Sequence, residues 1–156
     1  MGERSRKQTG ASGYLPECEG DLSGLAFARG QTKALELIAT GAGLEEVLGF
    51  VIRRIEEQAP GMRGSVLLLQ DGLHVRHGAA PSLPAEYCAS IDGLRIGPLA
   101  GSCGTAMWTD RRVIVSDIAT DPLWEGYRET ALPFGLRACW STPLHSSTGR
   151  VIGSFA

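Results

Sequence analysis

Leu44, Val47, Leu48, Val51, Ile52 and Ile55 recur at i, i+3, i+4, i+7, i+8 and i+11, the spacing of one face of an α-helix. Glu45 and Glu46 sit in its first turn and Arg53 and Arg54 toward its end, each complementing the helix dipole, and Pro60-Gly61 stops it. A shorter stripe of Ala34, Leu35 and Ile38 starts near Gln31 and breaks at Gly41-Ala42-Gly43. Beyond the second helix the period changes. Val66-Leu67-Leu68-Leu69 is a short apolar run that predicts a strand buried on both faces. Asp71-Gly72 is a strong hairpin turn, followed by alternation of Leu73, Val75 and His77 with His74 and Arg76.

Further along, a short helix is expected over 84–90, and Gly101 to Ala106 reads as a tight turn running into one helical turn. Val113 to Ile118 reads as a strand. Asp121 as N-cap and Pro122 at the first helical position open a helix with an apolar stripe of Leu123, Trp124, Tyr127 and Ala131, ended by Gly135. In a strand over 137–144, Ala138, Trp140 and Thr142 share one face, and Arg137, Cys139 and Ser141 the other. A turn at 146–149 leads into a last strand from Arg150. Helices, a hairpin, helical crossings and further strands give an α+β fold, a mixed sheet flanked by helices. Residues 1–24, rich in Gly, Ser, Glu and Arg, read as a flexible leader, and 25–156 as one domain.

Composition narrows the function classes. The 156 residues are 43% apolar and 21% charged, ordinary for a globular domain that needs no disulfide or structural metal. A net charge of −2 gives no field toward nucleic acid or membrane. No apolar run is long enough to span a bilayer, and no apolar segment follows the basic residues at the start. Cys18, Cys88, Cys103 and Cys139 form no CxxC pair and read as reduced thiols, so the expected location is the cytoplasm. His74 and His77 would face opposite ways on a strand and His145 stands alone, which argues against a metal site.

The runs Gly101 to Ala106 (GSCGTA), Val113 to Asp121 (VIVSDIATD), Pro122-Leu123-Trp124 and Gly135 to Leu144 (GLRACWSTPL), in that order, resemble GAF domains of bacterial sensor histidine kinases and diguanylate cyclases. The helix pair and the hairpin lie where that family has them, so the resemblance spans roughly residues 28 to 156. It implies a central antiparallel sheet with helices on both faces, a sandwich of the GAF/PAS kind, and a ligand cavity walled by segments after residue 84. It also implies a last strand followed by a C-terminal helix. Here that strand and helix look truncated, which would leave part of a sheet edge exposed.

The resemblance sets expectations for chemistry. Without any Asn, the family's cyclic-nucleotide signature, which includes an Asn-Lys pair, is missing. No cysteine precedes a histidine, so the pair that marks bilin-binding members is missing as well. Free methionine-(R)-sulfoxide reductases, enzymes on the same fold, carry one cysteine in a GVCG-like turn and a catalytic one in an Ala-Cys-Asp segment. Gly101-Ser102-Cys103-Gly104 and Ala138-Cys139-Trp140 resemble both at a similar separation, but Trp140 replaces the acid and the acidic insertion is absent.

The expectation is therefore a non-catalytic small-molecule sensor, with cofactor unassigned, a thiol reductase using Cys139 and Cys103 as the alternative, and a ligand-free dimerisation module as a third reading. The candidate ligand-binding residues are Ser102, Cys103, Thr105, Asp117, Trp124, Tyr127, Arg128, Arg137, Cys139 and Ser141. Arg128 and Arg137 open the option of an anionic ligand, although an Asp117–Arg137 ion pair would serve structure alone. The expected partners are an output domain such as a histidine kinase or diguanylate cyclase, and a second copy of the chain through the first helices near Leu37 and Phe50.

Overall fold

The stripe of Leu48, Ile52 and their neighbours finds its surface on one face of a five-stranded sheet. A computed structural model describes residues 19–156. The leader expected over 1–24 lies outside them up to residue 18, and from Glu19 the chain is helical. α1 runs Glu19–Ala39, twelve residues longer at its start than the stripe from Gln31 suggested, and α2 runs Leu44–Gln58. β1 (Val66–Gln70) and β2 (His74–Ala79) form the hairpin. Asp71 and Gly72 turn it at φ 52° and 80°, the left-handed pair that matches the twist of flanking strands. After α3 (Ala85–Ile91), α4 (Gly101–Thr109) and β3 (Val113–Val115), a broken helical segment leads to β4 (Cys139–His145) and β5 (Val151–Phe155). The strand order is β2-β1-β5-β4-β3, every pair antiparallel.

Alternation along β1 assigns the two faces. Val66 and Leu68 pack with Leu48, Ile52, Ala79 and Phe155 beneath α2, while Leu67 and Leu69 pack with Val75, Ile96 and Met107 on the side of α4. Ile52 is 1% exposed, and burying such a side chain stabilises by about 1.5–3 kcal/mol. The α2 stripe is only half used, since Leu44 and Val51 stay exposed. A third cluster of Tyr87, Val115, Ile118, Trp124 and Ala131 closes the end of the sheet that carries β3.

Four expectations change. The glycine turn at 101–106 is the start of a nine-residue helix, entered by Gly101 at φ +62° and ended by Asp110 at φ 53°. The helix expected from Pro122 is three short pieces: 3-10 turns at Pro122–Trp124 and Leu132–Phe134, with α5 (Arg128–Ala131) between. Its stripe survives, with Trp124 and Ala131 buried, because the pieces keep one side toward the core. The strand from Val113 stops at Val115, because Asp117 turns the chain by accepting from the Ala119 amide and the Thr120 hydroxyl at 3.0 and 2.9 Å. The last strand leaves no edge open: β5 pairs with both β1 and β4, and Ala156 exchanges both backbone bonds with Ser65.

Candidate functional site

Between the inner sheet face and the layer of α3, α4 and the 122–134 segment lies a cavity in two connected chambers. The inner one, about 60 Å³, is walled by apolar side chains such as Val75 and Leu94 together with the backbone of Ala100 to Gly104. The outer one, about 600 Å³, opens past the 61–65 and 135–140 segments. Leu67, Tyr87, Ile91, Cys103 and Trp124 line both.

Local sequence explains how α4 delivers its residues. Gly101 lies with the Trp124 indole 3.7 Å from where a Cβ would stand. Gly104 meets Ala100 so closely that an added Cβ would sit 2.6 Å from the Ala100 methyl. Two glycines thus let the first turn of α4 press against the indole on one side and its own entry loop on the other. Ser102 then ties three elements together: it accepts from Trp124 Nε1 at 3.0 Å and donates to the Cys139 carbonyl at 3.5 Å.

Of the residues expected to bind a ligand, Ser102, Cys103, Trp124 and Tyr127 line the inner chamber, and Cys103, Trp124, Arg137 and Cys139 the outer one. Ser141 is fully buried beside Cys103, as its place on the Cys139 face required. The other three lie away from the cavity wall. Thr105 fastens the α4 entry, donating to Pro98 O and accepting from the Ala100 amide. Arg128 packs on its own segment, with Nη2 donating to Asp121 O at 3.4 Å. Asp117 caps its turn, and Arg137 donates instead to Leu132 O and Leu136 O at 2.9 and 3.0 Å, so the Asp117–Arg137 pair does not form. His77 pairs with Asp92 at 2.8 Å and His145 with Asp110 at 2.6 Å, and no metal-holding cluster occurs among the described residues.

One wall residue, and one buried neighbour of the Cys103 sulfur, carried no signal in the sequence. Arg63 follows a helix-stopping Pro-Gly, where a surface arginine is the ordinary expectation, yet it lines the outer chamber. Ser154 lies on a central strand whose partners only the sheet order reveals. It is fully buried, as is Ser141. Both adjoin the Cys103 sulfur.

The sulfurs form an unequal pair. Hydrogen bonding from Cys139, helped by Ser141 and Ser154, holds the Cys103 thiol below its ordinary value against the opposing effect of burial. Cys139, which supplies that bond, is pushed well above, with burial and the negative charge of a Cys103 thiolate adding to the effect. Cys88, outside the pair, is raised by burial and by Asp92. Burial raises the Tyr87 phenol, so it stays neutral against the cavity. The first proton lost from the pair therefore leaves a thiolate on Cys103. Alkylation of Cys103 by iodoacetamide, followed by peptide mass spectrometry against pH, should show a midpoint below about 8.5, the ordinary thiol value. Cys139→Ala removes the main donor and should move that midpoint up; an unmoved midpoint would refute the assigned donor.

A model described as GAF domain matches residues 41–156. The chain belongs to the GAF domain family. It is 43% identical over 126 residues to the methyl sulfide methyltransferase-associated sensor of Methanosarcina acetivorans, covering 80% of this chain but only 13% of that protein's length. Among solved structures it is similar to a domain assigned to a two-component sensor histidine kinase protein of Sinorhizobium meliloti. There the identity is 24%, the TM-score 0.56, and the coverage 72% of this chain and 71% of the other. It is also similar in fold to the type II free methionine-R-sulfoxide reductase of Thermoplasma acidophilum, at 16% identity and TM-score 0.55, over 72% of this chain and 74% of that one. The GAF fold, with its antiparallel sheet between helical layers, is thus the architecture the sequence motifs implied. No helix among the described residues is long and apolar enough to cross a membrane.

Proposed function

We propose that this GAF domain is a non-catalytic sensor of a small molecule that occupies the cavity, working in the cytoplasm as part of a signal-transduction protein. The outer chamber carries the reading: about 600 Å³ lies within the range of small-molecule sites, and its walls come from elements that ligand contact would couple. Trp124, Ser102 and the Cys139 carbonyl link the 122–134 segment, α4 and β4 through two hydrogen bonds, so a ligand ordering one biases all three. The relative that shares 43% identity is named a sensor, which supports the same role. Occupancy would be passed to an output domain, a histidine kinase or diguanylate cyclase in this reading. Leu35 and Ile38 on α1 and Leu44 on α2 are exposed, while Leu37 and Phe50 are half-buried, and we place a homodimer contact on that exposed apolar face.

A second reading rests on one observation, the contact between Cys103 and Cys139 at the cavity wall. In a methionine sulfoxide reductase, two thiols and a sulfoxide give a disulfide, a thioether and water. Native mass spectrometry of the purified protein, with a thiol count before and after adding methionine sulfoxide, separates the readings. A retained small molecule with an unchanged thiol count supports the sensor. Loss of two thiols, abolished by Cys139→Ser, would replace it with the reductase.

A further inference from the structure

Polarity is distributed unevenly along the cavity. The inner chamber is formed by Leu67, Val75, Tyr87, Ile91, Leu94 and Trp124, and the one ionic side chain that touches it, Arg95, is itself exposed. The outer chamber ends at a different surface. Arg63 and Arg137 both line it, although one follows α2 and the other precedes β4, 74 residues apart in sequence. Their guanidinium groups converge on one short turn: Arg63 Nη1 donates to Phe134 O at 3.1 Å, and Arg137 Nη1 to Leu132 O and Leu136 O. Those carbonyls crown the end of the last helical piece, a place that favours cations.

Neither arginine has a carboxylate partner among the described residues. The acids nearest the cavity are engaged elsewhere. Glu56 accepts from the Gly64 amide at 2.8 Å and from Ser82 at 2.6 Å, and Asp92 accepts from the His77 amide and pairs with its ring. Two guanidinium groups with N–H donors to spare, exposed to solvent as Arg95 is, thus stand at the mouth of the cavity, held in place by backbone rather than by countercharge.

We propose that the cavity takes an amphipathic anion: an apolar body seated against Tyr87, Ile91 and Trp124, with one carboxylate, sulfonate or phosphate held at the mouth by Arg63 and Arg137. This rests on the cavity being the binding site of the sensor. The inner chamber offers a deep charge only Arg95, an exposed residue, so a small fully charged metabolite seated against the apolar walls would lose more hydration than it regains. A ligand with one anionic end keeps that end beside the arginines and in contact with water. Arg128, the other arginine that the sequence offered for an anion, has no part in this arrangement because it faces Asp121 O.

A matched pair of fluorescent probes tests the idea: 1-anilinonaphthalene-8-sulfonate and its uncharged parent, N-phenyl-1-naphthylamine. Binding is scored in a Trp108→Phe/Trp140→Phe background, because Trp140 also lines the outer chamber, as the one-to-one component whose energy transfer from Trp124 disappears on adding Trp124→Phe. The sulfonate should bind on the order of tenfold more tightly than the parent at low salt, with the gap shrinking as ionic strength rises. In Arg63→Gln/Arg137→Gln the sulfonate should fall to the level of the parent, whose own affinity stays unchanged. In Arg63→Lys/Arg137→Lys, which keeps the charge, most of the preference should return. Equal affinities in the wild-type protein, or a preference that survives the Gln pair or is not restored by the Lys pair, would overturn the anion site while leaving the cavity as a binding site for neutral ligands. If neither probe gives the Trp124-dependent component, the cavity itself is not a binding site and both readings fall.

Discussion

Gly153→Ala is expected to break the sheet at its centre and to destabilise the domain by about 3 kcal/mol or more. Gly153 lies on β5, opposite Leu68 of β1 on one side and Leu144 of β4 on the other. A Cβ built there would stand 2.3 Å from the Leu67 carbonyl oxygen and 3.3 Å from the Leu68 Cα. Both obstacles are backbone, so no rotamer change relieves the clash; β1 and β5 must separate. The cost reaches both faces, because Leu67 points to the cavity and Leu68 to α2. Gly78→Ala is the internal control. Its Cβ would come as close as 3.0 Å, but to Leu48 Cδ1 and Leu68 Cγ, side-chain atoms that can move, and the expected cost is within about 1 kcal/mol. Urea unfolding should place the Gly153→Ala midpoint roughly 1.5 M below wild type and that of Gly78→Ala close to it. Similar midpoints for the two variants would mean that β1 and β5 are not held in this register.

That contrast shows what the sequence could and could not convey. A glycine inside a predicted strand reads as a close approach of some kind, yet Gly153 and Gly78 look alike until the neighbours are known. The same limit governs the site. Alternation on the strand from Arg137 correctly put Cys139 and Ser141 on one face and Trp140 on the other, because period two is a local property. Trp140 turns instead to Phe155, edge-on at 5.3 Å between ring centres, and borders only the outer chamber. Local capping was legible too: Asp121 accepts from the Leu123 amide at 2.9 Å, as an Asp-Pro start implied. Arg63 stayed hidden as a wall residue, and Ser154 as a neighbour of the Cys103 sulfur, because each is placed by a partner distant in the chain, the 132–136 turn for one and β1 for the other. Asp117 and Arg137 were legible as residues able to pair, but backbone groups one to five residues away satisfy each of them first. Short-range hydrogen bonds close at little entropic cost, and a sequence pattern weighs only the charges.

Trp124→Ala carries the other large effect, and it bears on signalling as well as on stability. The indole is 6% exposed and packs with Ile118 and Ala131, and truncating such a side chain costs about 3–5 kcal/mol. Because one side of the ring already borders the cavity, fewer contacts are lost than in a solid core, which puts the expectation near 3 kcal/mol, or a fall in Tm of roughly 6–12 °C. Trp124→Phe keeps most of the apolar volume and loses the bond from Nε1 to Ser102, so about 1 kcal/mol is expected. Added indole should raise the Tm of Trp124→Ala more than that of wild type, since only the variant has the ring-shaped vacancy. A Trp124→Ala protein that melts with wild type would show that the 122–134 segment is a loose flap and not a wall. The expected result makes that segment a stabilised part of the core whose inner surface is also the ligand contact. A ligand that shifts the indole then acts through Ser102 on α4 and the Cys139 carbonyl on β4, and binding energy is converted into displacement of the sheet rather than absorbed by a mobile loop.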